Sequence, residues 1–205
     1  MSVPIAYIAV VLIWSTTPLG IVWSSESVSP TLAVLMRMII ATFLSLLIVK
    51  MTNIKFPWHR QAVRVYCFSG IGIFGGMLLS YMAAPYIPSG MMSLIFGFAP
   101  VLSGLLAQKI LNEPKFSRVR LAALIVSFCG LAIICSDGLS LNEQSWIGLL
   151  LVITAVTFFS LSGVLVKSVH IDINPIATTA GALSVSTPLF FITWILDLIF
   201  LDCIF

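Results

Sequence analysis

Charge is what this sequence lacks. Only 8% of its 205 residues are charged, while 60% are hydrophobic. A soluble domain carries about 25% charged residues, so a chain this poor in charge cannot clothe itself against water. Soluble folds are excluded, and the lipid bilayer is the expected partner for most of the surface. Carboxylates are scarce too. There are seven Asp and Glu residues, and none is expected within a membrane span. Proton relays in membranes run through intramembrane Asp, Glu or His, and a membrane enzyme needs a base to activate its nucleophile. Neither class fits, and the chain is not expected to be an enzyme. Histidine is limited to His59 and His170, without the spacing of a metal site or a triad. The cysteines Cys67, Cys129, Cys135 and Cys203 sit in apolar surroundings with no ligand spacing, so no metal and no other cofactor is expected. A basic leader and an A-x-A cleavage site are lacking as well, so the first apolar run reads as an uncleaved helix.

What is present is a series of apolar runs. Seven spans are expected, near Val3–Trp23, Thr31–Val49, Tyr66–Ala84, Ser89–Leu111, Leu121–Ser136, Trp146–Val166 and Ile176–Leu196. Each is close to the roughly twenty helical residues that cross a 30 Å hydrocarbon core. The fifth is short, and Arg118 and Arg120 can snorkel to extend it. The runs are continuous, which favours helices over barrel strands. The fold class is therefore an all-α polytopic membrane protein. Pro18, Pro100 and Pro188 fall inside spans, where each removes a backbone donor. Gly70, Gly72, Gly75 and Gly76 share the third span, and Gly90, Gly97 and Gly104 the fourth. Such residues let helix backbones approach closely.

Nine of the ten Lys and Arg residues fall in every second gap. Lys50, Lys55, Arg60 and Arg64 occupy one gap, Lys109, Lys115, Arg118 and Arg120 another, and Lys167 a third. The alternate gaps hold Glu26, then Pro85 to Pro88, then Asp137 and Glu143. Cationic loops stay cytoplasmic, so the amino terminus is expected inside and the carboxyl terminus outside. The net charge of +3 would suggest nucleic acid in a polar chain. Here the cations set orientation, and no nucleic-acid partner is expected.

Residues 81 to 90 read YMAAPYIPSG, followed by an apolar stretch to Ala99 and Pro100. ILNE follows at 110 to 113, then a basic turn, then GLAII at 130 to 134. With Trp14 and Ser15 in the first span and Arg37 in the second, this order resembles the drug/metabolite transporter superfamily, specifically its EamA-type members. The resemblance implies ten helices in two inverted five-helix repeats, with a small-molecule substrate handled between them. Residues 1–138 would form the first repeat and 139–205 the first two helices of a second. An offset of 145 places Ser15 on Ser160, Pro30 on Pro175 and Thr42 on Thr187. Three family helices would be missing. The expectation is an incomplete efflux or exchange transporter of small metabolites, amino acids or drugs, or a remnant or subunit that needs a partner. That partner would be a complementing chain or a second copy. The bacterial inner membrane is the expected location.

Arg37 is the tenth cation, about 9 Å into its span by helix rise. A guanidinium there costs about 2.5–3.5 kcal/mol on the insertion scale at the helix centre. It is either a structural side chain bonded to freed carbonyls or a cavity cation that attracts anionic or zwitterionic substrates. Its expected acceptors are Ser15, Thr16, Thr17, Ser80 and carbonyls near Pro18. Trp14, Tyr81 and Phe96 are candidates for an aromatic lining. The substrate-binding set is thus Trp14, Ser15, Arg37, Tyr81 and Phe96. Glu113 reads as a loop ion-pair partner for Lys115 or Arg118.

Overall fold

The computed structural model describes residues 3–136 and 143–202. Asp137 and Cys203 lie outside them, as does the junction between residues 137 and 142. The described residues form eight helices: α1 Val3–Ser27, α2 Pro30–Met51, α3 Arg60–Ala83, α4 Ser89–Phe96, α5 Ala99–Ile110, α6 Arg118–Ser136, α7 Ser145–Ser168 and α8 Pro175–Asp202. Six stretches are long and apolar enough to cross a membrane, with α4 and α5 counted as one, and α6 contains a shorter apolar helix. The chain is an all-helical polytopic membrane protein, as its composition requires.

The expected fourth span is two helices. Pro100 has no N–H for the carbonyl of Phe96, and its ring crowds that carbonyl. α4 ends at Phe96, and α5 restarts at Ala99 with Pro100 in its first turn, where a missing N–H costs nothing. Pro18 and Pro188 lie within α1 and α8 without ending them.

Helix ends follow local chemistry. Ser29 caps α2, its hydroxyl accepting from Leu32 N at 3.4 Å, and Pro30 occupies the first turn. At the other end Asn53 takes a left-handed φ of 52°. Asn53 N then bonds Lys50 O, and Ile54 N bonds Val49 O. That is the Schellman arrangement, with Asn in the position glycine usually takes.

α3 is the centre of the bundle and packs on α7 and α8. Its glycines make this close approach possible. Gly72 sits against Ser162, and a Cβ at Gly75 would lie 2.7 Å from the Phe158 ring. Ser162 Oγ reaches across the seam to Phe68 O at 2.8 Å. α2 packs chiefly on α8, and α1 makes little contact with anything. Tyr66, Tyr81, Met92, Val34, Val152 and Phe190 are fully buried within the bundle.

The ends of the bundle carry different chemistry. At the basic end Lys167 pairs with Glu113. The sequence reading gave Glu113 to Lys115 or Arg118, and the partner comes instead from the end of α7. Both side chains are exposed, so the pair contributes about 0–1 kcal/mol. At the opposite end Thr31 Oγ1 donates to Asp197 Oδ2 at 2.6 Å. The seventh span was expected to stop at Leu196. The apolar run Leu198–Ile199 carries α8 on, so Asp197 lies inside the stretch Pro175–Ile199. By the same measure Glu26 falls inside the stretch Tyr7–Ser27, so two carboxylates lie within candidate spans, each near one end, and Asp197 is held by the Thr31 hydroxyl.

Candidate functional site

Arg37 sits two turns into α2, on the face that buries Val34 and Met38. The helix therefore turns the guanidinium inward. Arg37 Nη1 donates to the Tyr81 hydroxyl at 3.4 Å, and Ser24 Oγ approaches the same oxygen at 3.4 Å. Both contacts are long and weak. The acceptors expected from sequence do not serve. Ser15 and Thr16 donate to Leu12 O, Thr17 to Ile13 O, and Ser80 to Gly76 O. In apolar surroundings a hydroxyl satisfies itself on its own helix, three or four residues back. Tyr81, at 1% exposure, is Arg37's only hydrogen-bond partner among the described residues.

Arg37 faces a cavity of about 710 Å³. Trp14 and Ser15 of α1 and Phe96 at the end of α4 line it too, so four of the five candidate residues share one wall. Tyr81 does not line it and stands behind Arg37. It touches the guanidinium through that one long bond. The break between α4 and α5 opens Gly97 to the cavity, and Gly72 and Gly76 of α3 form its floor. Met38, Met77 and Met92 supply adaptable apolar surface. Among the described residues Arg37 is the one charged residue in the lining, beside the hydroxyls of Ser15, Thr17 and Ser93.

Phe159 of α7 also lines this cavity, and the candidate set did not include it. Its ring meets Trp14 edge-on, with centroids 5.5 Å apart and planes at 65°. The signal was within reach: the offset that pairs Ser15 with Ser160 also pairs Trp14 with Phe159. No group of three or more potential metal ligands occurs among the described residues.

A helical bundle with a mostly apolar, singly charged cavity within a membrane-spanning core defines a solute-handling membrane protein. The family comparison agrees. The EamA-like transporter family matches residues 1–136, about two thirds of the chain, and the protein belongs to that family of small-solute membrane transporters. The match ends where α6 ends, at Ser136. No curated protein and no solved structure gives a significant match.

Proposed function

We propose that this chain moves small anionic or zwitterionic metabolites, amino acids among them, across the bacterial inner membrane by efflux or exchange. Arg37 carries the reading. A guanidinium has five N–H donors, and here a single long bond to Tyr81 engages it on a cavity wall. A substrate carboxylate would supply the missing acceptor, and a bidentate fit is the strongest it could make. The aromatic and Met lining suits an apolar substrate body. Among the described residues no carboxylate lines the cavity, so a proton relay finds no carrier there and exchange fits better.

The test is counterflow in liposomes containing the purified chain. Zwitterionic amino acids and organic anions should accumulate, while organic cations should not. Preferential movement of cations would sink the assignment. A second reading is a subunit completed by another chain. Its support is α1, the least buried of the spanning candidates, whose Ile13 and Trp14 are exposed beside the cavity. Saturable binding without flux would favour this reading.

The loop cations further place the amino terminus in the cytoplasm. Cysteines introduced at Thr52 and Glu143, with the native cysteines replaced, should react from opposite sides of the membrane. Reaction of both from outside intact cells would overturn that topology.

A further inference from the structure

The first helix is held along one half only. Pro18 and Ile21 of α1 are buried, and Ser24 Oγ approaches the Tyr81 hydroxyl at 3.4 Å. Residues 11 to 16, by contrast, are all exposed. Six consecutive helical residues turn through more than a full circle, so this stretch leans away from the bundle instead of packing a face on it. Trp14 meets Phe159 edge-on and is still exposed, so the contact leaves a gap beside it. Pro18 falls between the two halves. It has no N–H for the Trp14 carbonyl, and its ring crowds that group, so the helix is weakest where its packing ends.

Ile13, Trp14 and Ser15 line the cavity and are exposed as well. The cavity therefore opens sideways past α1. That opening lies within the apolar stretch Tyr7–Ser27, so it faces hydrocarbon. Apolar walls at that depth favour an acyl chain over water. Farther in, the same cavity offers Arg37, whose guanidinium has one long bond to Tyr81. An apolar entrance that leads to one cation is complementary to a molecule with an apolar tail and one anionic head.

We propose that the cavity takes single-chain amphipathic carboxylates and loads them from the bilayer, through the gap beside the amino-terminal half of α1. The carboxylate bonds Arg37, and the chain lies among Ile13, Trp14, Phe159 and the methionines of the lining. The size agrees. About 710 Å³ is the volume of a site for one drug-sized molecule, which suits a single chain and not a two-chain phospholipid. The inference rests on Arg37 as an anion-binding side chain, the reading proposed above. It adds a route that water-soluble amino acids do not use.

Trp14 is the natural reporter. The full chain is placed in liposomes with Trp23, Trp58, Trp146 and Trp194 replaced by Phe, so that Trp14 alone fluoresces. The quenchers are a brominated dodecanoate at alkaline pH, where it is ionised, its methyl ester, and a brominated phosphatidylcholine. The acid should quench saturably, at a membrane mole fraction about tenfold lower than the ester needs, as a hydrogen bond to a charged group predicts. The phosphatidylcholine should quench without saturating. Arg37→Gln should move the acid onto the ester's curve. Changing the amount of lipid should leave quenching unchanged at a fixed membrane mole fraction. Tritiated dodecanoate on the unaltered chain gives the same comparison without substitutions, displaced about tenfold better by the acid than by the ester. Equal curves for acid and ester would overturn the inference. So would saturation by phosphatidylcholine at the acid's mole fraction, or quenching that follows the aqueous concentration. Amino-acid counterflow with any of those three results would remove the lipid route alone. Saturable binding of the acid without amino-acid counterflow would remove the water-soluble substrates and leave the lipid route standing.

Discussion

Arg37→Gln is expected to weaken binding of carboxylate-bearing solutes by about 10–100-fold and that of neutral solutes by less than about twofold. The range corresponds to losing a hydrogen bond to a charged group, about 1.5–3 kcal/mol. Gln keeps a donor and most of the volume, so the cavity stays filled. The Tyr81 contact is long, at 3.4 Å, so its loss costs the fold little. Arg37→Lys should fall between the two. It retains the charge, but a single ammonium cannot offer the planar fork. Equilibrium binding to nanodisc-embedded protein measures all three variants. Parallel losses for charged and neutral solutes, tracking protein yield, would assign Arg37 to folding.

The largest effect on stability is expected from Gly72→Leu. Any side chain there meets Ser162 directly. α7 would have to move away from α3, and the Ser162 bond to Phe68 O would break with it. Overpacking costs about 1–3 kcal/mol and occasionally more, and the lost seam bond adds about 1 kcal/mol. Gly163→Leu is the control, because a Cβ at that glycine of α7 meets nothing within 4 Å. Fluorescence-detected chromatography after heating should show early loss of the monodisperse Gly72→Leu species and a near-normal Gly163→Leu profile. Equal loss for both would mean that a bulky residue in any helix, rather than the α3–α7 seam, is the cause.

The seven apolar runs were plain from residue type, because lipid demands continuous helices of fixed length. The break after Phe96 was also foreshadowed, since Pro100 must release a carbonyl. Helix ends were less legible. Asp197 looked like a stop, but its charge is satisfied by Thr31, 166 residues away, and local sequence carries no trace of such a partner. Four of the five candidate residues share the cavity lining: Arg37 and Phe96 are half-buried in the bundle, while Trp14 and Ser15 reach it from the more exposed α1. The reading of Arg37's acceptors erred on position: each of those hydroxyls could still accept while donating to its own helix, but the guanidinium reaches Tyr81 instead. Phe159 escaped notice because it reaches the site from α7, far along the chain from the other candidates, and three matches at one offset were too few to extend to a fourth.

The pairing of α2 with α8 also sets a timetable for assembly. Ribosomes add about 5–20 residues per second, so Thr31 is made roughly 8–30 s before Asp197. During that interval α2 lacks its main packing partner, and Arg37 rests in a half-built bundle. The early helices must wait in lipid until α8 arrives to pack against α2.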